Sequence, residues 1–149
     1  MALKTIQFLA ILLTALSLVP AGAHLMELPA KIGLDKDAYV AVQQLYRGWA
    51  FAGAALILAL IANAAAAFMM RYQGPALFWI GGAAALMLIV LVLFFLLIYP
   101  VNQATRDWTT APADWQALRF RWEYTHAANT GLTLLALLAA LAGVFAWRD

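Results

Sequence analysis

The sequence of 149 residues contains no cysteine, and only 11% of its residues are charged. The lack of cysteine excludes disulfide exchange, thiolate metal sites and a cysteine nucleophile. Charged residues make up about 25% of an ordinary soluble domain, so the composition argues against a soluble fold. The net charge of +2 comes from scattered basic residues, which do not form a nucleic-acid interface. Glycine-rich phosphate loops and Gly-x-Ser-x-Gly elbows are also lacking, so no nucleotide cofactor is expected.

Apolar sequence is abundant instead, at 66% of all residues. Asp, Glu, Lys and Arg are all missing from residues 5–26, 48–70, 72–105 and 124–147. Each of these stretches can cross a hydrocarbon core, which needs about 20 helical residues. Because the apolar runs are continuous rather than alternating, they indicate helices and not a barrel. The sequence therefore predicts one all-α domain over residues 1–149, a four-transmembrane-helix up-down bundle in contact with the lipid bilayer.

Proline and glycine indicate where the helices end. The predicted helices cover about residues 5–28, 36–71, 76–99 and 113–147. Pro29 and Pro100 are expected to end the first and third helices, and Gly48 can kink the second. We call the side with both termini and the turn at Gly74 and Pro75 side A, and the side with the two longer connections side B. The second and fourth helices are expected to project beyond the membrane on side B.

Orientation in the cell membrane rests on two opposing signals. The Met-Ala-Leu-Lys start favours a cytoplasmic N-terminus, and on this basis we expect both termini in the cytoplasm and side B outside. Counting Lys and Arg favours the reverse, because side A has only Lys4, Arg71 and Arg148 whereas side B has six. Ala21-Gly22-Ala23 resembles the end of a secretory signal. Cleavage after Ala23 is not expected, because the apolar pattern continues beyond it.

The chain has two histidines and two glutamates, and they form two pairs. His24 and Glu27 end the first helix, and Glu123 and His126 open the crossing part of the fourth. A spacing of three residues places both members of a pair on one helical face. The first and last helices of an up-down bundle are normally neighbours, and polar stripes point both histidines inward. We therefore expect all four groups to meet near side B.

This set of side chains is open to several interpretations. His24, Glu27, Glu123 and His126 can bind one Fe, Cu or Zn ion. The two histidines can instead be the axial ligands of a single b-type haem. In a pocket without metal, His126 can act as a general base, with Arg47 or Arg121 stabilising a developing negative charge. In a purely structural interpretation, Glu27 pairs with Arg47, and Glu123 pairs with Arg119 or Arg121.

Further side chains on side B complete the candidate pocket. Asn102 follows the third helix and can either cap it or contact a ligand. Four of the six tryptophans belong to side B, which suits either an interfacial aromatic belt or an aromatic-lined pocket. The side chains assigned to the substrate pocket are Trp122, Tyr46, Asn129 and Tyr99.

Short motifs on side B carry a family resemblance: Pro100-Val101-Asn102, Trp108, Asp114-Trp115, Arg121-Trp122, and His126 with Asn129. These motifs resemble those of anthrone oxygenase-like proteins, which are small four-helix integral membrane proteins. The resemblance implies oxidation of a flat lipophilic aromatic by molecular oxygen without a classical organic cofactor. By position, it implies a pocket formed by His126, Trp122, Arg121, Asn102 and Asn129.

The sequence leaves two classes of function. The first is an oxidoreductase or oxygenase-like enzyme that acts on a small lipophilic aromatic or quinone-like molecule, without a cofactor or with one bound metal. The second is a non-enzymatic accessory or transporter-like protein whose side B charges form ion pairs. Small inward residues on the second and fourth helices, such as Ala59 and Gly131, also allow a homo-oligomer. The first class requires the two histidines to converge within a pocket, whereas the second predicts Glu27 and Glu123 paired with Arg47 and Arg119 with no cavity between them.

Overall fold

The computed structural model describes residues 1–147, except for the side chain of Ala50. Arg148, which we counted with side A, lies outside the described residues. Across the described part the chain is helical and contains no strand. Four segments are long and apolar enough to cross a membrane: Ala2–Lys31, Ala52–Met69, Gly74–Thr105 and Trp115–Ala146. The predicted fold class is confirmed, and the chain is a multi-pass membrane protein.

The helices follow one another with short connections. They are α1 (Ala2–Lys31), α2 (Lys36–Gln43), α3 (Ala52–Met69), α4 (Gly74–Leu93), α5 (Tyr99–Thr105) and α6 (Trp115–Ala146). Short 3₁₀ turns at Gln44–Tyr46 and Trp49–Phe51 connect α2 to α3. A π-helical segment at Phe94–Ile98 joins α4 to α5, so these two form one continuous crossing.

The four crossing segments form a closed ring. α1 packs against α3 and α6, and α4 packs against the same two helices. The first and last crossings are therefore neighbours, as expected for an up-down bundle. The ammonium group of Lys4 lies 5.5 Å from the ring of Trp147, which brings the two ends of the described chain together.

Small side chains form the helix contacts inside the bundle. The innermost apolar cluster is rich in alanine: Ala66, Met70, Ala76, Ile80, Ala83, Ala139 and Ala140. Large apolar side chains such as Phe8, Ile61 and Leu138 lie on the outside. Small residues let the helix backbones approach closely, while large residues can face lipid without cost. This inside-to-outside pattern is typical of a membrane bundle and the reverse of a soluble one.

Neither Pro29 nor Pro100 ends its helix, contrary to the sequence prediction. α1 passes through Pro20 and Pro29 and ends at Lys31, which places Lys31 one turn beyond Glu27. The third crossing passes Pro100 by widening into the π-helical segment just before it. Proline removes the donor for the carbonyl four residues earlier. Here that carbonyl belongs to Leu96, and Arg121 Nη2 donates to it at 2.7 Å.

The second predicted helix, over residues 36–71, is divided in the structure. α2 ends at Gln43, and α3 begins at Ala52. Between them Arg47 has an extended ψ of 122° and Gly48 has a φ of +90°. A positive φ is readily available only to glycine, so Gly48 is the residue at which the helix breaks. The fourth helix begins at Trp115, two residues later than expected.

Candidate functional site

A buried lysine lies at the centre of the polar cluster on side B. Lys31 is only 3% exposed. Its Nζ lies 3.4 Å from Glu27 Oε2 and 3.2 Å from Glu123 Oε1. The same ammonium group donates a hydrogen bond to the Tyr46 hydroxyl at 2.6 Å. One cation therefore links the carboxylates of α1 and α6, because α1 continues far enough to present Lys31 beside Glu27.

Glu123 is buried and accepts further hydrogen bonds from α2. The residue is 1% exposed, and its Oε1 accepts from the Tyr39 hydroxyl at 3.0 Å and from Gln43 Nε2 at 3.3 Å. Burial, together with the negative charge of Glu123, raises the pKa of Tyr39 well above its ordinary value. Tyr39 therefore remains a hydrogen-bond donor. Glu123 Oε2 accepts no hydrogen bond from any described residue.

Tyr46 joins the cluster from the 3₁₀ turn after α2. Its hydroxyl accepts from Lys31 and donates to Glu27 Oε2. Burial raises the pKa of Tyr46, and the hydrogen bond to Glu27 raises it further. The phenol thus stays neutral and connects the lysine to the carboxylate of Glu27, whose side chain is 42% exposed.

The two histidines converge, as the sequence predicts. The rings of His24 and His126 have centroids 4.2 Å apart and are inclined by 32°. Within residues 1–147, His24 Nδ1 and His126 Nε2 are buried and have no hydrogen-bond partner. Buried polar atoms are nearly always satisfied in folded proteins. Each of these nitrogens can therefore donate to or accept from a further molecule.

Aromatic rings surround the histidine pair. Trp122 lies edge-on to His24, with centroids 4.9 Å apart, and its centroid is 4.2 Å from that of His126. Tyr46 and Trp49 approach His24 with centroid distances of 4.5 Å and 5.7 Å. The site thus has walls of flat apolar surface around two polar nitrogens. These rings are in contact with one another, so a planar ligand has to enter between them.

The orientation of Trp122 is held by two neighbours. Its Nε1 donates to Asn102 Oδ1 at 2.8 Å, so Asn102 orients a wall of the site. Trp108 packs edge-on against Trp122 with centroids 6.4 Å apart. Trp108 closes a turn of three consecutive left-handed residues, with φ values of 49°, 55° and 59°. Each left-handed residue other than glycine costs roughly 1–2 kcal/mol, so the surrounding packing must maintain this turn.

Two predicted arginines make their contacts away from the histidine pair. Arg47 is exposed, and its Nη2 donates to Gln44 Oε1 at 3.1 Å. Arg121 donates to the Leu96 carbonyl beside Pro100. Neither guanidinium group is placed to stabilise a negative charge next to His126.

Two predicted pocket residues also lie elsewhere. Tyr99 accepts from Gln103 Nε2 at 3.3 Å and packs with Phe94 and Phe95. Asn129 lies deeper in the bundle and donates to the Val90 carbonyl at 3.4 Å. Of the four side chains assigned to the substrate pocket, Trp122 and Tyr46 have rings that lie against the histidines.

The geometry does not fit the predicted metal centre. Residues 1–147 contain no group of three or more His, Asp or Glu side chains that could hold a metal ion. Lys31 lies between the two carboxylates and supplies the positive charge that the metal was expected to supply. A haem does not fit either. Two axial imidazoles bind an iron through nitrogens about 2 Å away on opposite sides, and each ring extends outward from its nitrogen. Their ring centroids are then much farther apart than the 4.2 Å between the centroids of His24 and His126.

The sequence interpretation did not include Lys31 in the cluster, nor Tyr39 or Gln43. The predicted ion pairs of Glu27 with Arg47 and of Glu123 with Arg119 or Arg121 are replaced by contacts of both carboxylates with Lys31. Arg119 Nη1 instead donates to the Leu34 carbonyl at 2.7 Å. The spacing of four residues from Glu27 to Lys31 is the sequence signal for this ion pair. It indicates a contact only if the helix continues past Pro29, where the sequence predicts that the helix ends.

Comparison with known proteins adds no assignment: no family model, curated protein or solved structure matches the chain. The resemblance to anthrone oxygenase-like proteins therefore stays a prediction from the motifs. A functional assignment has to rest on the chemistry of the site, and above all on the histidine pair.

Proposed function

We propose that this protein is a membrane enzyme that removes a proton from a small lipophilic aromatic molecule and lets the resulting carbanion react with molecular oxygen. The observation that carries the proposal is the contact of His24 with His126, each with a buried, unpartnered ring nitrogen. Tyr46, Trp49 and Trp122 enclose this pair. Two polar nitrogens between aromatic walls suit a flat ligand that has one acidic C–H or O–H group.

A neutral imidazole can accept a proton at one nitrogen while the other remains a donor. In the proposed reaction one histidine acts as the general base, and the second donates a hydrogen bond to the oxygen atom on which negative charge develops. Lys31 lies against Trp122, with its Nζ 5.3 Å from the centre of that ring. Its positive charge is already paired with Glu27 and Glu123, so the hydrogen bond from the second histidine is the interaction that stabilises the anionic intermediate.

The overall reaction converts an activated CH₂ group and O₂ into a carbonyl group and water. The histidine takes one proton, and the carbanion forms a C–O bond to oxygen. The terminal oxygen of this adduct then receives the proton back as a hydroperoxide. Loss of the second C–H proton with cleavage of the O–O bond leaves the carbonyl and releases water. Carbon loses four electrons and O₂ accepts them, so no further reductant is needed.

A purely structural role is the second candidate. The observation that favours it is the position of Lys31, which contacts both carboxylates and so can hold α1 against α6. A structural cluster would need no substrate. It leaves His24 Nδ1 and His126 Nε2 buried without a hydrogen bond, a state that they share with other buried atoms such as Trp108 Nε1 and Asn63 Oδ1.

The test uses purified protein in lipid nanodiscs with dithranol, an anthrone, as the probe. Oxygen consumption and quinone absorbance are measured for the wild type, His24→Ala, His126→Ala and Arg71→Met, against protein-free nanodiscs as the background. Arg71 is exposed and lies at the side A end of the bundle, away from the site. There it donates to the Phe68 carbonyl. Loss of a general base lowers the rate by about 10²–10⁴-fold. The catalysed rate should therefore fall by about a hundredfold or more in at least one histidine variant, and it should stay unchanged in Arg71→Met.

A catalysed rate that is the same in the wild type and in both histidine variants would contradict the proposal. So would a folded wild type that oxidises dithranol no faster than empty nanodiscs. In that case the structural candidate would stand, and the histidine variants should change only the thermal unfolding midpoint.

A further inference from the structure

Four rings surround His24, and they differ in how firmly they are held. Trp122 is buried and its N–H is bonded to Asn102. Tyr46 is held through its hydroxyl by Lys31 and Glu27. His126 is part of the regular α6 helix. Trp49 is the exception, because it is 39% exposed and lies outside the regular helices. The side of His24 that Trp49 covers is therefore the least firmly closed.

The backbone that holds Trp49 is also the least regular near the site. Trp49 follows Gly48, whose φ is +90°, and begins a 3₁₀ turn of three residues. The backbone bond from Phe51 N to Gly48 O is long at 3.5 Å. A hypothetical side chain on Gly48 would meet no atom within 4 Å, so no neighbour packs against the backbone on that side. Because Trp49 lies between α2 and α3, a movement of Trp49 does not require either helix to unwind.

The outer surface next to Trp49 is apolar. Phe51, two residues later, is 88% exposed. On α1, Leu25 and Met26 follow His24 directly and are 41% and 84% exposed. In a membrane protein, exposed side chains of this kind face lipid. These apolar side chains give a molecule dissolved in the bilayer an approach to Trp49, which the exposed charged side chains of Glu27 and Arg47 border.

We propose that Trp49 is the specificity-determining residue of the site and that the ligand reaches the histidine pair laterally from the bilayer, past Trp49. The ligand class is an uncharged, flat aromatic molecule that partitions into lipid and has a hydroxyl or carbonyl group for the imidazole nitrogens. The Trp49 ring, with its centroid 5.1 Å from Tyr46, gives such a molecule a stacking surface on its way in. This inference rests on the proposed function, because it concerns how the same site selects its substrate.

The experiment measures binding of dithranol without oxygen, so that no turnover occurs, in nanodiscs containing the wild type or a variant. Trp49→Leu removes the stacking surface, and Trp49→Phe keeps an aromatic ring. Trp79→Leu is the matched control, since Trp79 is 44% exposed and contacts Phe78 instead of the site. Loss of one stacking partner should weaken binding of dithranol by about tenfold or more in Trp49→Leu. Trp49→Phe should stay within about threefold of the wild type, and Trp79→Leu should equal it.

A second probe tests the route. Anthraquinone sulfonate has the same three fused rings as dithranol, in the quinone form. It carries a permanent negative charge, so it does not partition into the hydrocarbon. Lateral access predicts that the wild type associates with it at least about a hundredfold more slowly than with dithranol in stopped-flow measurements. Equal association rates of the two probes would overturn lateral access.

The outcomes separate this inference from the proposed function. If the wild type does not bind dithranol at all, the proposed function fails and this inference fails with it. If the wild type binds dithranol and Trp49→Leu binds it equally, the role of Trp49 is overturned while the proposed function remains. Circular dichroism shows whether each variant is folded. If Trp49→Leu unfolds, Trp49→Met, which also lacks a ring, replaces it with the same tenfold loss expected, and equal binding by Trp49→Met would overturn the role of Trp49.

Discussion

At the scale of single residues, Lys31 has the most consequential position in the molecule. It is buried, contacts the carboxylates of Glu27 and Glu123, and donates to Tyr46. A charge taken out of water is costly unless it is paired and hydrogen-bonded. The cluster meets this requirement for Lys31, whereas Glu123 depends on Lys31 for its positively charged partner. Removing the lysine therefore affects more than one interaction.

We expect Lys31→Met to lower the free energy of unfolding by about 3–5 kcal/mol, because it leaves Glu123 buried without a cation. Lys36→Met, on an exposed lysine at the start of α2, should change it by less than about 0.5 kcal/mol. Unfolding in mixed micelles measures both. The double variant Lys31→Met with Glu123→Gln should recover part of the loss. Equal small effects for the two lysine variants would contradict this account.

Tyr39 makes stability depend on pH in the alkaline range. Burial raises its pKa, so in the folded protein the phenol keeps its proton after the unfolded chain has lost it at about pH 10. Stability from this tyrosine is complete below that pH and falls by about 1.4 kcal/mol per pH unit above it. We expect Tyr39→Phe to reduce the alkaline slope of the unfolding free energy. The same slope in both proteins would show that Tyr39 is not responsible.

At the scale of elements, the irregular segments nearest the site bring its side chains together. The 3₁₀ turns around Gly48 place Tyr46 and Trp49 against His24. The π-helical segment before Pro100 exposes the Leu96 carbonyl that Arg121 reaches. π-helical turns and left-handed residues are frequent at functional sites. These interruptions gather side chains from α1, α5, α6 and the α2–α3 connection in one place, which unbroken helices would not do.

A matched pair of glycines tests the break between α2 and α3. Neither Gly48 nor Gly53 has an atom within 4 Å of a hypothetical Cβ, so alanine fits at both positions. Gly48→Ala should destabilise the fold by about 1–2 kcal/mol because its φ is +90°. Gly53→Ala, within α3, should stabilise it by about 0.5–1 kcal/mol. Thermal unfolding in detergent measures both, and a shift of the same sign in the two variants would contradict the assignment of Gly48 as the break.

At the scale of the whole molecule, α4 packs closely on α6 at the side A end of the bundle. A Cβ on Gly143 of α6 would lie 3.1 Å from the backbone nitrogen of Ile80 and 3.4 Å from the carbonyl oxygen of Ala76. Alanines line the rest of this contact. In a lipid environment, helices associate through such close contacts, since there is no hydrophobic driving force between them. The bundle is therefore sensitive to volume at side A, far from the polar cluster.

Gly143→Ala should destabilise the bundle by about 1–3 kcal/mol, because the added methyl group forces α4 and α6 apart. Gly131→Ala on the same helix is the control, since its Cβ would meet no atom within 4 Å. There the higher helix propensity of alanine should stabilise the fold by about 0.5–1 kcal/mol. Denaturation in mixed micelles compares the two. A stabilising effect of Gly143→Ala would show that the helices do not approach as closely as described.

The amino-acid sequence by itself determines the four crossing helices, because the length of a charge-free stretch is a local property that the bilayer converts directly into helices. It also determines the approach of His24 to His126, since both lie on inward polar faces of neighbouring helices. Only the tertiary structure decides that Lys31, and neither Arg47 nor Arg119, contacts the glutamates. That choice depends on where α1 ends after Pro29 and on how α1 and α6 are rotated against each other. Spacing along one helix cannot specify a contact that two helices form together.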